Sequence, residues 1–301
     1  MERDLPMDIK LLDRLKRLAI IAMFSDDDLM EMLVLKGGNL LDTIYNIASR
    51  ASVDVDFSME GEFQEEDFEL IKEKIQRALV GTFEAEGFTV FDLNLLKRPK
   101  KDLPSVTCAF WGGYRLEFKV IESSKYEKLK HDQRSLRMGS VTLGKNHERK
   151  FIIDISKFEY CAPKREMDLD EGYTIYVYTP EMIVFEKIRA ICQQMPEYDA
   201  VVPSSGKSAR ARDFFDIYTI LEHYEIDFMA EDNLVLLQNI FVAKKVPLWL
   251  IGRIQEYMEF HRPDFASVRD TVKAGTELRD FDFYFNYVIE RCAPLKTLWE
   301  I

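Results

Sequence analysis

Apolar residues near the N-terminus recur three and four positions apart, which is the spacing of one face of an α-helix. The residues that set this pattern are Leu11, Leu12, Leu15, Leu18 and Ala19. Ser25 stands before three aspartates, an arrangement typical of an N-cap followed by an acidic first turn. Gly37-Gly38 ends this second helix, and Asn39 can cap a third. The first 47 residues are therefore predicted to be helical.

Short alternating segments predict strands in the middle of the chain. The predicted strands cover residues 51–59, 89–95, 105–111, 114–121 and 151–155. Residues 65–84 return to helical spacing and are predicted to form a helix. Gly112-Gly113 separates the third and fourth predicted strands, and such a pair of glycines indicates a β-hairpin.

Helical patterns dominate the chain after residue 173. A short strand there runs into a helix for which Thr179 is a suitable N-cap and Pro180 a suitable first residue. From Asp213 onward the pattern is helical. Mixed strands and helices, followed by helices alone, predict an α+β fold. We predict two domains, residues 1–172 and a mainly helical C-terminal domain of residues 173–301 that contributes to the functional site.

The composition indicates a soluble, cytoplasmic globular protein. Of the 301 residues, 47% are hydrophobic and 31% are charged. The longest apolar run, residues 18–24, is too short to span a bilayer, and the N-terminus lacks the order of a signal peptide. The four cysteines lack CxxC spacing, which favours reduced thiols over a zinc site or a disulfide framework. No membrane partner is expected.

The formal net charge of −12 argues against non-specific binding of nucleic acid. A polyanionic partner would therefore need a local basic patch. Residues 125–150 hold eight lysines and arginines against three acidic residues. This segment is either such a patch or an ordinary solvated surface.

Asp54 and Asp56 stand two positions apart in a predicted strand, so their side chains point to the same face. Two neighbouring carboxylates repel each other unless a cation lies between them. The alternative is a solvent-facing strand edge, but Val53, Val55 and Phe57 are typical of a buried strand. Because hard cations prefer carboxylate oxygens, this strand is a candidate Mg²⁺ site. Two such ions can bridge phosphates and activate an attacking hydroxyl.

The glycine pair Gly37-Gly38 lies immediately before a predicted helix. The unpaired backbone N–H groups of a helix start favour anions such as phosphate. Alone, two glycines more often mark a simple turn. Followed by a helix and by the strand of Asp54 and Asp56, they predict a triphosphate site beside its metal ion.

The order of these features resembles the nucleotidyltransferase superfamily of DNA polymerase beta and, within it, the AbiEii/AbiGii toxin family. Four sequence blocks carry the resemblance, in order, over residues 33–222. The matching residues are Lys36, Gly37 and Gly38, then Arg50, Ser52, Asp54, Asp56 and Phe57, then Pro180, Glu181, Glu186, Lys187 and Ala190, and last Arg212, Asp213, Asp216 and Ile217. One departure is Asn39, where the family more often has Thr or Ser. The resemblance implies a nucleotidyltransferase-like mixed sheet flanked by helices and followed by a helical C-terminal domain.

The resemblance also implies roles for residues of these blocks. Asp54 and Asp56 would hold Mg²⁺, as a two-ion site. Lys187 would act in catalysis, although its position beside the apolar stripe of its helix is also typical of a surface lysine. The residues implied to contact the nucleotide are Lys36, Gly37, Gly38, Ser52 and Lys187.

A third carboxylate is implied on a neighbouring strand, as a metal ligand or as the base toward the acceptor hydroxyl. Arg115, Glu117 and Lys119 share one face of their predicted strand. We choose Glu117 as this metal ligand, with Glu122 as the second choice. The alternative for Glu117 is an outward polar face.

The last block is implied to place a further acid in the active site, and both Asp213 and Asp216 are candidates. They lie three positions apart and share a helix face. Arg212 and Asp216 have the spacing of a simple i,i+4 salt bridge, which is the alternative interpretation.

The expected function is that of a Mg²⁺-dependent nucleotidyltransferase that moves a nucleoside monophosphate from an NTP to a hydroxyl group. The resemblance implies an RNA acceptor, with tRNA 3′ ends as one target, or a protein side chain. It also implies a cognate antitoxin. The alternatives are a non-toxic nucleotidyltransferase that acts on a small molecule and a catalytically silent NTP-binding module.

Overall fold

Seven strands form one mixed sheet at the centre of the fold. The computed structural model describes residues 9–47, 54–100, 104–143, 148–169, 172–203, 207–273 and 275–299. The strands are β1 (Val34–Lys36), β2 (Val55–Ser58), β3 (Phe88–Arg98), β4 (Gly113–Glu122), β5 (Phe151–Ser156), β6 (Arg165–Leu169) and β7 (Tyr173–Val177). Their order across the sheet is β3-β4-β5-β2-β1-β7-β6. Strand pairs β2–β5 and β1–β7 are parallel, and the other pairs are antiparallel.

Helices flank this sheet and continue alone after it. The first group comprises α1 (Ile9–Phe24), α2 (Asp27–Met32), α3 (Gly37–Thr43), α4 (Phe68–Ala85), α5 (Ser105–Cys108), α6 (Ser123–Leu129) and α7 (Gln133–Gly139). The second comprises α8 (Pro180–Cys192), α9 (Ala211–His223), α10 (Glu231–Ala243), α11 (Met258–His261), α12 (Phe265–Thr271) and α13 (Phe281–Cys292). Short 3₁₀ turns cover Pro196–Ala200, Leu248–Tyr257, Arg262–Asp264 and Ala293–Leu298. The predicted α+β class, with a mixed sheet and a C-terminal helical region, is confirmed.

The periodic segments form the elements that their patterns predict. Helix α4 buries Ile71, Ile75, Leu79 and Phe83, one face of the predicted helix, against α1 and β3. Along β4 burial alternates, so that Leu116, Phe118 and Val120 are buried while the Arg115 face is only partly covered. Thr179 caps α8 by accepting a hydrogen bond from the Met182 N–H, with Pro180 at the first turn.

The predicted strand over residues 105–111 is wrong, and so is the hairpin at Gly112-Gly113. This segment forms α5 and a turn, because the N–H groups of Thr107 and Cys108 donate to the Pro104 carbonyl at 2.8 and 3.0 Å. Strand β4 pairs instead with β3 and β5. Gly112 has a φ of +116° and leads the chain into β4.

Three predictions near the N-terminus also differ from the structure. Strand β1 lies where the end of a helix was predicted. All three of its residues are buried, so the sequence there shows no alternation of apolar and polar residues that would indicate a strand. Asp26, not Ser25, caps α2 by accepting from the Leu29 N–H. Asn39 does not cap α3; it lies inside this helix, buried, and donates to the Asp54 carbonyl.

The helices are short relative to a bilayer. The longest described helix, α4, has 18 residues. No single helix of the described ranges combines the length and the apolar composition of a membrane span. One pair of helical segments reaches both together, Glu231–Ala243 and Leu248–Thr271, but the two are bent by 83° relative to each other.

Candidate active site

A cavity of about 910 Å³ opens between the sheet and the C-terminal helices. Its walls come from the end of β1 and the start of α3, from β2, β4 and β5, and from α8 and α9. This volume lies in the range of sites for small molecules and nucleotides. The strand order explains the convergence, because β4, β5, β2 and β1 are consecutive neighbours across the sheet.

Three aspartates face this cavity from two adjacent strands. Asp56 of β2 stands opposite Asp154 of β5 in a parallel register, and Asp54 precedes Asp56 by two residues. All three line the cavity, with Asp54 exposed and Asp56 half-buried. The structure therefore brings the predicted pair Asp54 and Asp56 together with a third carboxylate, Asp154.

Burial, together with the neighbouring carboxylates, raises the pKa values of Asp54 and Asp56. Burial raises the pKa of Asp56 to about 7, Asp154 and Asp54 add to this shift, and Lys36 opposes it. The pKa of Asp54 is also raised, first by burial and then by Asp154. Arg115 partly offsets the negative charge, because its Nε and Nη2 donate to both carboxylate oxygens of Asp154, each at 2.7 Å.

The glycine turn packs directly against the acids. Gly37 has a φ of +78°, a conformation that side chains rarely adopt. A methyl group on Gly37 would collide with the Asp56 Oδ2 atom. Gly37 and Gly38 are the first two residues of α3, and both line the cavity. The predicted convergence of a glycine turn and two alternate aspartates is thus present in the fold.

Lys36 is buried beside these acids rather than extended into solvent. Its Nζ donates to Glu186 Oε1 at 2.5 Å and to Ser156 Oγ at 3.1 Å. Burial opposes its charged form, but Glu186 and Glu159 more than compensate, so that the pKa of Lys36 is raised. Lys36 therefore carries a positive charge at one end of the cavity.

A second group of buried charges surrounds Glu159. Arg189 donates to both oxygens of Glu159, at 2.6 and 3.2 Å, and Lys244 Nζ lies 3.4 Å away. Burial would raise the pKa of Glu159, but Arg189, Lys244 and Lys36 lower it to about 2. Burial in turn lowers the pKa of Lys244 to about 8. All four residues line the cavity, which is therefore strongly polar along the α8 side.

Lys187 is buried between two acids of α9 and is not a surface lysine. Its Nζ lies 2.7 Å from Asp213 Oδ1 and 2.8 Å from Asp216 Oδ2. Lys187 and Asp213 line the cavity, whereas Asp216 is only 3% exposed and lies behind them. Arg212 donates to Ser267, so the alternative interpretation of this block, an i,i+4 salt bridge from Arg212 to Asp216, is not what the described residues form.

The predicted third carboxylate, Glu117, lies on the same strand face as Arg115 but two residues further along β4. Lys150 donates to Glu117 at 2.7 Å and lowers its pKa. The second choice, Glu122, is exposed at the end of β4 and forms an ion pair with Lys125 at 2.9 Å. Arg50 and Ser52 lie outside the described residues.

The sequence patterns did not identify several of the residues that line the cavity. Asp154 had a local signal, an acid in the middle of the apolar strand pattern FIIDIS. Trp111 lay in a segment predicted to be a strand, and Lys244 and Asp264 belong to the C-terminal region in which no motif was found. Only the pairing of distant strands and helices places these side chains in one cavity.

The aspartate cluster suits a hard cation such as Mg²⁺. Its donors are carboxylate oxygens, which Mg²⁺ prefers, and burial together with mutual repulsion raises the pKa of Asp54 and Asp56. Within the described ranges, no three His, Cys, Asp or Glu side chains already have the geometry of a closed metal site. This is compatible with Mg²⁺, which usually binds through one or two carboxylates, several waters and substrate phosphates.

A mixed sheet that holds a glycine turn beside alternate aspartates is the arrangement that the resemblance to nucleotidyltransferases implies. The family model described as nucleotidyl transferase AbiEii toxin, type IV TA system, matches residues 19–287 of the 301. The chain belongs to this AbiEii family. Membership implies nucleotidyltransferase activity, with an NTP as substrate, and suggests an antitoxin partner. No curated protein matches the chain.

The contact between Gly37 and Asp56 yields a matched pair of variants. We expect Gly87→Ala to lower the free energy of unfolding by about 1–2 kcal/mol, because its φ is positive, and Gly37→Ala to lower it further, because its methyl group also collides with Asp56. Only Gly37→Ala should also lower nucleotidyl transfer, by tenfold or more, since a methyl group on Gly87 meets no atom within 4 Å. Denaturant unfolding and a label-transfer assay measure the two effects. Equal transfer by both variants would contradict a role for this contact.

Proposed function

We propose that the protein is a Mg²⁺-dependent enzyme that transfers a nucleoside monophosphate from an NTP to a hydroxyl of RNA, with a tRNA 3′ end as the acceptor implied by the family. The observation that supports this most is the packing of Asp56 against the Gly37 turn, in a cavity that Asp54 and Asp154 also line. Such an arrangement can bind a triphosphate and the acceptor hydroxyl side by side.

The charge of the cavity differs from that of the whole chain. The chain carries a net charge of −12. The cavity lining has seven acidic residues and eight basic ones, the latter being Lys36, Arg98, Arg115, Lys187, Arg189, Arg210, Arg212 and Lys244. The lining is thus almost balanced, with one more basic than acidic residue, in a chain that is strongly acidic as a whole, and this local difference supports a polyanionic substrate.

In the proposed reaction, the acceptor oxygen attacks the α-phosphorus of the NTP. The bond between the acceptor oxygen and phosphorus forms, the bond to the β-phosphate oxygen breaks, and pyrophosphate leaves. A carboxylate of the cluster, which we assign to Asp154, accepts the hydroxyl proton. Backbone N–H groups of Gly37 and Gly38 and the Lys187 ammonium would contact the phosphates, so that the protein acts by positioning and by charge stabilisation.

Asp54, Asp56 and Asp154 would hold the metal ions. Bound Mg²⁺ would supply neutralisation of phosphate charge and activation of the hydroxyl. Glu117 is the alternative to Asp154 as the third carboxylate. It lies on β4, two residues beyond Arg115, which stands opposite Asp154. Ser52, outside the described residues, remains a proposed phosphate contact.

The acceptor surface is proposed at the cavity mouth. Arg210 and Arg212 line the cavity, and Arg212 is exposed. The basic segment 125–150 contributes less than its composition suggests, because ion pairs link Lys125 to Glu122, Lys130 to Glu127 and Arg137 to Asp92. A protein hydroxyl as acceptor, a small-molecule acceptor and a silent NTP-binding module are the competing functions.

The experiment that tests this proposal compares two single-carboxylate variants. Purified protein is incubated with each α-labelled NTP, Mg²⁺ and total RNA, and label on RNA is measured. Asp154→Asn should lower transfer by at least a thousandfold, whereas Glu117→Gln should change it less than threefold. These factors are on the scale of losing a transition-state interaction and losing a surface ion pair, respectively.

The outcomes separate the candidate functions. Label on RNA that disappears in Asp154→Asn and on addition of EDTA supports the proposal. A large loss of transfer in Glu117→Gln together with a small loss in Asp154→Asn would assign the third carboxylate to Glu117. Label on a small molecule or on protein alone, or NTP binding without any transfer, would contradict the RNA proposal in favour of the corresponding alternative.

A further inference from the structure

We propose that Trp111 is a stacking platform for a nucleobase, supplied by the NTP or by the end of the acceptor, in the cavity that the aspartates also line. The inference rests on the proposed nucleotidyl transfer and names the part of the cavity that would hold the base. Every nucleobase presents an aromatic face, so an aromatic side chain can bind it without reading its edge.

Two anchored neighbours hold the indole ring of Trp111. The ring of Tyr198 has its centroid 6.0 Å from that of Trp111, and Lys244 Nζ lies 5.8 Å from the indole centroid. Tyr198 is fully buried, and its hydroxyl donates to the Lys244 carbonyl at 2.6 Å, which ties the two neighbours to each other. Trp111 itself is half-buried and lines the cavity, so its position is fixed while part of its surface stays accessible.

Two glycines packed closely against neighbouring backbone lead the chain from Trp111 into β4. Gly112 and Gly113 follow Trp111 and both line the cavity. A methyl group on Gly112 would lie 2.8 Å from the Arg98 carbonyl oxygen, and one on Gly113 would collide with the Ile155 carbonyl. Only glycine therefore fits at both positions, and this close packing fixes the course of the chain that carries Trp111.

Chain length sets an upper limit on the separation between Trp111 and the aspartates. Arg115 stands opposite Asp154 in the register of β4 and β5. Trp111 precedes Arg115 by four residues, which span at most roughly 13 Å of extended chain. This limit is comparable to the length of a nucleotide from its phosphate to the far edge of its base. A nucleotide whose phosphate lies at the aspartates is therefore long enough to reach Trp111.

One polar side chain beside the indole is placed to bind the edge of the base. Gln193 lines the cavity and is 8% exposed, whereas the Lys244 ammonium already donates to the Phe110 and Lys157 carbonyls. The Gln193 Nε2 atom lies 3.5 Å from the Tyr198 hydroxyl, next to the stacking surface. An aromatic surface with a few fixed polar groups is the usual composition of a small-molecule subsite.

Fluorescence of Trp111 provides a direct test. The chain has three tryptophans, and the double variant Trp249→Phe with Trp299→Phe leaves Trp111 as the one tryptophan, which is excited selectively over the tyrosines at long wavelength. Titration of this variant with an NTP and Mg²⁺, and separately with an RNA oligonucleotide, should quench the emission with at least one of the two ligands. Inorganic tripolyphosphate, which has no base, should not. The quenching ligand identifies the source of the base.

A binding measurement completes the test. Trp111→Ala should weaken equilibrium binding of the quenching ligand by roughly tenfold to a hundredfold, and Trp111→Phe should restore most of it. The proposal is overturned if NTP and RNA bind without quenching Trp111. If Trp111→Ala fails to fold, the fluorescence result decides, because it uses the native side chain. Neither readout needs turnover, so a failure of the subsite is distinguishable from a failure of the proposed transfer reaction.

Discussion

Replacement of Asp56 by asparagine should abolish nucleotidyl transfer and at the same time stabilise the fold. The carboxylate is half-buried against Asp154 and the Gly37 turn, and its pKa is raised to about 7. In the folded state its charge is therefore unfavourable at neutral pH. We expect a loss of transfer of at least about a thousandfold, because the carboxylate that would hold the metal ion is replaced by a neutral amide.

The stability effect has a defined pH dependence. Because the pKa of Asp56 is higher in the folded than in the unfolded chain, the folded state binds more protons between pH 4 and 7, and wild-type stability falls as the pH rises through this window. The shift corresponds to at most about 4 kcal/mol above pH 7, reduced by the partial exposure of Asp56. The Asp56→Asn variant should therefore have the higher melting temperature at pH 8 and match the wild type at pH 4.

Asp92→Asn is the matched control for this prediction. Hydrogen bonds from Arg137 lower the pKa of Asp92, so its charge is favourable in the folded state. The same substitution at Asp92 should slightly lower the melting temperature at pH 8 and leave transfer unchanged. Parallel thermal melts at both pH values measure the difference. A melting temperature of Asp56→Asn at or below that of the wild type at pH 8 would refute the assigned electrostatic cost of the cluster.

The sequence predicted those parts of the fold that depend on local periodicity. Helix α4, strand β4 and the capped start of α8 have patterns that their neighbours along the chain already determine. The apolar composition of segment 105–111 is typical of a strand. Its backbone N–H groups instead donate to the Pro104 carbonyl in a turn, and hydrophobic periodicity gives no signal for such a turn. Strand β1 is too short to have a period, and its burial depends on β2 and β7.

The same distinction applies to the site. Spacing alone predicts that Asp54 and Asp56 share a face, and the glycine turn lies close in sequence to both. The position of Asp154 depends on the parallel pairing of β2 and β5, which are separated by almost a hundred residues, and parallel register has no local signature. The prediction of Glu117 rests on strand alternation. Alternation shows which residues of a strand share a face, but it does not show which residues of the adjacent strand lie beside them.

Lys187 yields the second large effect, in which stability and activity can be separated. Its Nζ is buried between Asp213 and Asp216, at 2.7 and 2.8 Å. Lys187→Met leaves two buried carboxylates on one face of α9 without this cation, and we expect a loss of about 3–5 kcal/mol in the free energy of unfolding. Transfer should also be lost, because the proposal assigns the ammonium to the phosphates.

A double variant distinguishes a structural lysine from a catalytic one. Asp216 is buried behind the cavity, so Asp216→Asn added to Lys187→Met removes the like-charge repulsion without altering the acid that lines the cavity. We expect the double variant to recover at least half of the lost stability and none of the lost transfer, while Asp216→Asn alone stays active. Denaturant unfolding and label transfer to RNA measure both quantities. Recovery of transfer together with stability would mean that Lys187 only holds α8 against α9, and the phosphate role would then fall to another cation of the cavity.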